Sequence, residues 1–214
     1  MNVTIIGAGN MGRGIGHRMV AGGHSVTVVD QNPEAAENLA SELRKVARSG
    51  ANVDVSTLET VQPGDVIFLA VWYGVNKEVA KKLGARLNGK VVVDIANPLN
   101  STFDGLATPS DSSSAEELAK IVPAGVKVVK AFNTTFAGTL LSGSVAGQPL
   151  DVFIAGDDAD AKGKVTQLVT DGGMRAIDAG PLTRSRQIEG MQLLQIVLQG
   201  SLGTNWMSAL KIVS

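Results

Sequence analysis

A β-branched run from Asn2 to Ile6 leads without a break into Gly7-Ala8-Gly9-Asn10-Met11-Gly12, a helical pattern continues from Asn10 to Ala21, and Asp30 closes the next β-branched run. Glycines at this G-x-G-x-x-G spacing acquire meaning from that context of strand, turn, helix and downstream acid. Gly7 allows the tight turn, Gly9 lets backbone amides approach a pyrophosphate, and Gly12 lets the helix pack close to the strand. The helix N-terminus then faces the phosphates, where its free N–H groups and dipole favour an anion. The opening of the chain is thus committed to a dinucleotide-binding βαβ unit.

The same alternation continues. Strands are expected near Asn2 to Ile6, Ser25 to Val29, Val66 to Val71, Lys90 to Ile95, Val126 to Ala131, Asp151 to Ala155 and Met174 to Asp178. Helices are expected over Asn10 to Ala21, Pro33 to Ser49, Val75 to Leu87, Ser113 to Val122, Ala159 to Asp171 and Thr183 to Leu202. Strands alternating with helices indicate an α/β fold, a Rossmann-type doubly wound parallel sheet. The soft stretch Ser142 to Pro149 marks a change of organisation. It divides a dinucleotide-binding part, residues 1–146, from a small C-terminal α/β extension with a long helix, residues 147–214; whether the later strands join the same sheet is left open.

Composition narrows the chemistry. With 214 residues, 44% hydrophobic and 18% charged, the chain can bury an ample core and reads as soluble and globular. A formal net charge of −1 without a basic cluster points away from nucleic acid and anionic membranes, and towards small-molecule partners. Without cysteine, and with only His17 and His24, the chain is poorly supplied for a metal site. No stretch has the length of a membrane span, and the N-terminal apolar run is too short for a signal peptide. A cytoplasmic enzyme is expected.

Asp30 bears on the choice of dinucleotide. A carboxylate there can accept hydrogen bonds from the adenosine ribose, whereas a 2′-phosphate would meet a like charge. Gln31 and Asn32 are neutral donors, and the first cation after them is Arg44, so NAD is favoured over NADP. Asn32 is also better placed than Asp30 to cap the helix that Pro33 opens.

Ligands of open parallel sheets lie beyond the carboxyl ends of the strands, which nominates Ala70, Val71, Trp72 and Tyr73, then Asn97, Pro98 and Leu99, as cofactor contacts. Asn133 and Thr134 are nominated for a substrate cleft. Leu99 to Ser114, polar and aperiodic, reads as a lid or binding loop. Acid–base machinery is nearly absent. Tyr73-x-x-x-Lys77 has the spacing of the short-chain dehydrogenase pair but lies on the cofactor side, and the long C-terminal helix has no lysine between Thr183 and Leu202. No catalytic residue is assigned. Reduction of a carbonyl needs a proton donor, whereas hydride exchange between two cofactors needs proximity and stacking. On the C-terminal helix Gln192, Gln195 and Gln199 form one polar stripe among apolar residues. Such a helix is expected to be buried on most sides. The glutamines are either a solvated edge or, with Gln195 facing a substrate cleft, part of a homodimer interface.

Together GAGNMGRGIG, VVDIANPL, VVKAFNT, DVFIAGDDADAK and DAGPLTRSRQIE resemble the deazaflavin (coenzyme F-420)-dependent NADP reductases over nearly the whole chain; KAFNT also resembles the soluble oxidoreductase domain of the STEAP metalloreductases. The resemblance implies a homodimer in which the nicotinamide meets a deazaflavin or flavin ring in a cleft. It also implies nucleotide contacts from Gly9, Asn10, Met11, the Trp72–Tyr73 region and Asn97 to Leu99. It favours NADP where Asp30 favours NAD, because the reductases hold the 2′-phosphate with a serine and an arginine that Asp30-Gln31-Asn32 lacks. The expected function is an oxidoreductase moving hydride between NAD or NADP and a deazaflavin, flavin or small-molecule acceptor. The alternatives are an imine or carbonyl reductase related to pyrroline-carboxylate reductase, and a non-catalytic dinucleotide sensor.

Overall fold

The computed structural model describes residues 1–213. In chain order the first half comprises β1 (Asn2–Ile6), α1 (Asn10–Ala21), β2 (Ser25–Val29), α2 (Pro33–Val46), β3 (Val53–Ser56), β4 (Val66–Leu69), α3 (Tyr73–Leu83) and β5 (Val91–Asp94). There follow α4 (Ser114–Ala119), β6 (Lys127–Lys130), α5 (Ala137–Ser142), β7 (Ser144–Val145), β8 (Gln148–Pro149), β9 (Asp151–Gly156), α6 (Ala159–Asp171), β10 (Arg175–Gly180) and α7 (Ser185–Leu202).

Eight strands form one sheet in the order β10-β9-β6-β5-β4-β1-β2-β3. All neighbours are parallel except β6 and β9, which run antiparallel. Strands buried on both faces read as continuous apolar runs, as VIFL and VVVD do. One face carries Ile5, Val28, Phe68, Val93, Val129 and Ile154 under α1, α2 and α6. The other carries Ile6, Ile67, Leu69, Val92 and Val128 under α3 and α4. A smaller cluster of Phe153, Ala155, Ile188 and Met191 seats α7 on β9.

The later strands do join the same sheet, with their direction reversed at the β6–β9 seam. The soft stretch resolves into the short β7–β8 hairpin, turned at Ala146 and Gly147, both with positive φ. Several boundaries differ from expectation. The strand expected to Val71 stops at Leu69, where the chain leaves the sheet, though Ala70 N still donates to Ile6 O. The helix expected to Ser49 ends at Val46 because Ala47 is extended. The expected 75–87 helix starts at Tyr73 and tightens into a 3-10 turn at Gly84, which has a positive φ. β3 and α5 were not anticipated, because VDVS and AGTLLS are too short to display a period.

The long C-terminal helix departs most from its reading. It is not buried on most sides: Gln192, Gln195 and Gln199 are buried, whereas Leu194 and Leu202 are 59% and 63% exposed, beside Val197 and Leu198. The glutamine stripe is therefore not a solvated edge. The chain doubles back beyond α7 and gives it polar partners there. Gln199 Oε1 accepts from Thr204 Oγ1 and Trp206 N, and Ser208 Oγ accepts from Gln195 and Gln199. Trp206 packs edge-on against Phe136 at 5.3 Å. The returning segment ends at buried Asp151, which accepts from Arg175, Lys211 Nζ (3.0 Å) and Ile212 N (2.9 Å).

Candidate functional site

The strand order reverses between β1 and β4, so the ends of these strands flank a crevice. Gly7 N donates to Val29 O at 2.7 Å, with φ +110°, and a Cβ on Gly7 would stand 2.3 Å from Ala70 O. A Cβ on Gly12 would stand 1.9 Å from Gly7 O, so α1 can cross β1 this closely only without a side chain there. A Cβ on Gly9 would meet nothing within 4 Å. Gly9 and Asn10 are exposed, and Ala8 and Met11 half-buried. α1 has Gly9 as its N-cap, with no side-chain cap and no acid in its first turn, whereas α2, α4 and α6 are capped by Asn32, Ser113 and Asp158. Open space over uncapped amides suits a pyrophosphate.

At the adenosine end, Asp30 is half-buried and is not the cap of α2. Asn32 is, accepting from Glu34 N (3.0 Å) and Ala35 N (3.4 Å). Asp30 instead accepts from Ala8 N at 2.7 Å and Asn32 N at 2.9 Å, which ties the glycine turn to the end of β2. Gln31 is exposed. Neighbouring guanidiniums are engaged elsewhere: Arg13 chelates Glu42 at 2.8 and 2.9 Å, and Arg44 bonds Glu37 and Val53 O. Arg13 and, less so, His17 hold the Glu42 carboxyl down at about 2.

Across the crevice, Ala70 and Val71 are half-buried, and Trp72, N-cap of α3, is 77% exposed. Trp72, Tyr73, Asn97, Leu99, Asn100 and Phe103 line a pocket of about 260 Å³ beneath the 99–114 loop. Pro98 is buried, and its carbonyl accepts from Ala107 N, while Leu99 bridges to Leu106, so the loop is folded on itself. Tyr73 and Lys77 do meet, at 3.4 Å, but both turn to Glu117 of α4, each at 2.6 Å. Burial and Glu117 raise the Tyr73 phenol, which disfavours it as a proton donor or base there. Asn97 and Asn133 bond reciprocally, Asn97 Nδ2 to Asn133 O and Asn133 Nδ2 to Asn97 Oδ1, both at 3.0 Å. Phe132, just before, has φ 64°, a strained value for an aromatic residue. Thr134 is buried with its hydroxyl unpartnered, as are Asn133 Oδ1 and Gln192 Oε1. Gln195 Nε2 points to Ser208 rather than to Asn133 or Thr134.

The near-empty acid–base inventory overlooked one group. Asp94 ends β5, Lys130 ends β6, and Glu189 lies on α7; all three are fully buried. Lys130 Nζ stands 2.9 Å from Asp94 Oδ2 and 2.7 Å from Glu189 Oε1, and also donates to Ala96 O. The signal in the sequence is weak: an aspartate and a lysine each follow valines at a strand end, in VVVD and KVVK.

No helix among the described residues is long and apolar enough to cross a membrane. The family model described as NADP oxidoreductase, coenzyme F420-dependent, matches residues 2–98. The F420-dependent NADP reductase of Methanocaldococcus jannaschii is 31% identical over 210 residues, 92% of each chain. Metalloreductase STEAP3 of Rattus norvegicus is 32% identical over 191 residues, 89% of this chain; the chain spans only 36% of the metalloreductase. Among solved structures, a protein of Arthrobacter sp. FB24 assigned provisionally to the F420-dependent NADP reductases superposes with a TM-score of 0.82 at 29% identity, covering 99% of each chain.

Proposed function

The chain belongs to the family of coenzyme F420-dependent NADP reductases and is an NAD(P)-dependent oxidoreductase, and from that premise we propose that it moves hydride between a nicotinamide dinucleotide and a deazaflavin or flavin. The dinucleotide would lie with its pyrophosphate on Gly7 to Gly12, its adenosine ribose at Asp30, Gln31 and Asn32, and its nicotinamide by Ala70 to Tyr73 and Asn97 to Leu99. The acceptor would enter over Asn133 and Thr134, beneath the 99–114 loop. Hydride chemistry is the dinucleotide's own. The chain's residues bind, orient and exclude water.

The observation that carries this reading is the pairing of an uncapped α1 N-terminus with a mostly apolar pocket under Trp72 and Phe103 on one crevice. Asp30 supports NAD as the preferred dinucleotide. The outward apolar face of α7 supports a homodimer, since a second copy offers the same face in return. Residues 147–214 act as the part that delivers α7 to the crevice. The test is absorbance at 340 nm with NADH or NADPH and a panel of a deazaflavin, a flavin, a cyclic imine and a ketoacid. Turnover with a deazaflavin or flavin is expected. Turnover with the imine or ketoacid alone selects the imine or carbonyl reductase, and tight binding without any turnover selects a sensor.

A further inference from the structure

Asp94 and Lys130 are register partners at the last positions of β5 and β6. Lys130 gives its three protons to Asp94, Glu189 and Ala96 O, which uses the full capacity of an ammonium. Asp94 Oδ1 takes Asn76 Nδ2 at 3.1 Å and Ala96 N at 3.2 Å, and Glu189 takes Ser114 N at 3.1 Å. A tie between the strands needs one carboxylate for one ammonium. The second, Glu189, leaves a negative charge uncompensated in a place water does not reach. Holding α7 on the strands does not by itself call for a charge, because well-packed apolar residues often serve as well as a buried ion pair or better. The surplus lies three residues before Asn97 along one strand end and three before Asn133 along the other, beneath the floor on which those two asparagines meet.

We propose that the Asp94–Lys130–Glu189 cluster selects the redox state of the bound dinucleotide, its surplus negative charge favouring the oxidised, cationic nicotinamide over the reduced, neutral one. This rests on the reading of the crevice as the nicotinamide site. The two forms of the ring differ by one positive charge, and a unit charge acting through a protein interior is worth about tenfold in affinity. Glu189 is the member that can switch the surplus off. Burial raises its carboxyl and Asp94 adds to this, while Lys130 opposes both. Among the described residues its charged neighbours are Lys130 on β6 and Asp94 on β5. α4 contributes the Ser114 N–H, and Arg186 on its own helix is spent on Glu116 of α4. Protonation of Glu189 removes the surplus, so preference for the oxidised form declines as pH falls.

Calorimetry of NAD⁺ and NADH binding to the full chain and to Glu189→Gln tests this, because the amide oxygen can still accept from Lys130 and Ser114. Expected is a Kd ratio, oxidised over reduced, about tenfold higher in the variant, with its pH dependence abolished. An unchanged ratio in a folded variant overturns the inference. Should Glu189→Gln not fold, the unaltered protein decides: a ratio that rises as pH falls supports the cluster's role, and a flat ratio overturns it. If the unaltered protein binds neither form, the crevice reading fails and takes this inference with it.

Discussion

Asp30 has two tasks, and one substitution can separate them. Its carboxylate ties the glycine turn through Ala8 N at 2.7 Å, and it faces the space assigned to the adenosine ribose. A 2′-phosphate brought within about 4 Å would cost roughly 1 kcal/mol in water and about 4 at an effective dielectric near 20, on the order of ten- to a thousandfold in affinity. The Ala8 tie, a charge-assisted hydrogen bond, is worth about 1.5–3 kcal/mol and serves NAD and NADP alike. Asp30→Asn keeps an acceptor for Ala8 and removes the charge, so NAD affinity should drop modestly while the gap to NADP narrows at least tenfold. Asp30→Gly loses both, narrowing the gap and weakening both dinucleotides. Calorimetric titration of the protein and the two variants with each dinucleotide distinguishes these outcomes. A preference for NADP in the unaltered protein, or a NAD/NADP ratio unmoved by Asp30→Asn, refutes the charge argument.

Asp151, held at about 2 chiefly by Arg175 against the pull of burial, should stabilise the fold by about 2 kcal/mol above the normal aspartate range. Because its folded value is depressed, that stability is present above about pH 4 and lost as pH falls towards 2. Urea midpoints for Asp151→Asn should therefore trail the unaltered protein at pH 7 and converge with it in acid. Gly12→Ala drives a methyl into a backbone carbonyl and should cost about 3 kcal/mol, visible as a lowered melting temperature and weakened dinucleotide binding. Leu194→Glu with Leu198→Glu places charge on the outward face of α7 and should yield a monomer by light scattering with the melting temperature little changed; an unaltered mass would remove α7 from the interface.

The strands and the N-terminal turn were legible because parallel strands must be apolar throughout and glycines at close crossings have no substitute. The orientation of α7 was not. A helix with three glutamines among leucines looks like a core helix with a wet edge, and only the returning segment, through Ser208, Thr204 and Trp206, reveals why the glutamines turn inward. Asp94, Lys130 and Glu189 were equally hidden. They are far apart in sequence, and a charge at a strand end ordinarily reads as solvated.

The reversal at the β6–β9 seam has a mechanical consequence. Val152, Ile154, Val165 and Leu168 belong to the same apolar cluster as Ile5, Ile15 and Phe68, so the C-terminal strands are bolted to the sheet that carries the crevice. Glu189 fastens α7 to the strand ends as well. Among the described residues the two parts share one sheet and one apolar cluster, which disfavours closure by rigid rotation. Under the proposed function, admission and release of a ring would fall to the segment from Leu99 to Ser113, beyond which Ser114 N is held by the same Glu189. On the proposed reading, opening of that segment would limit turnover.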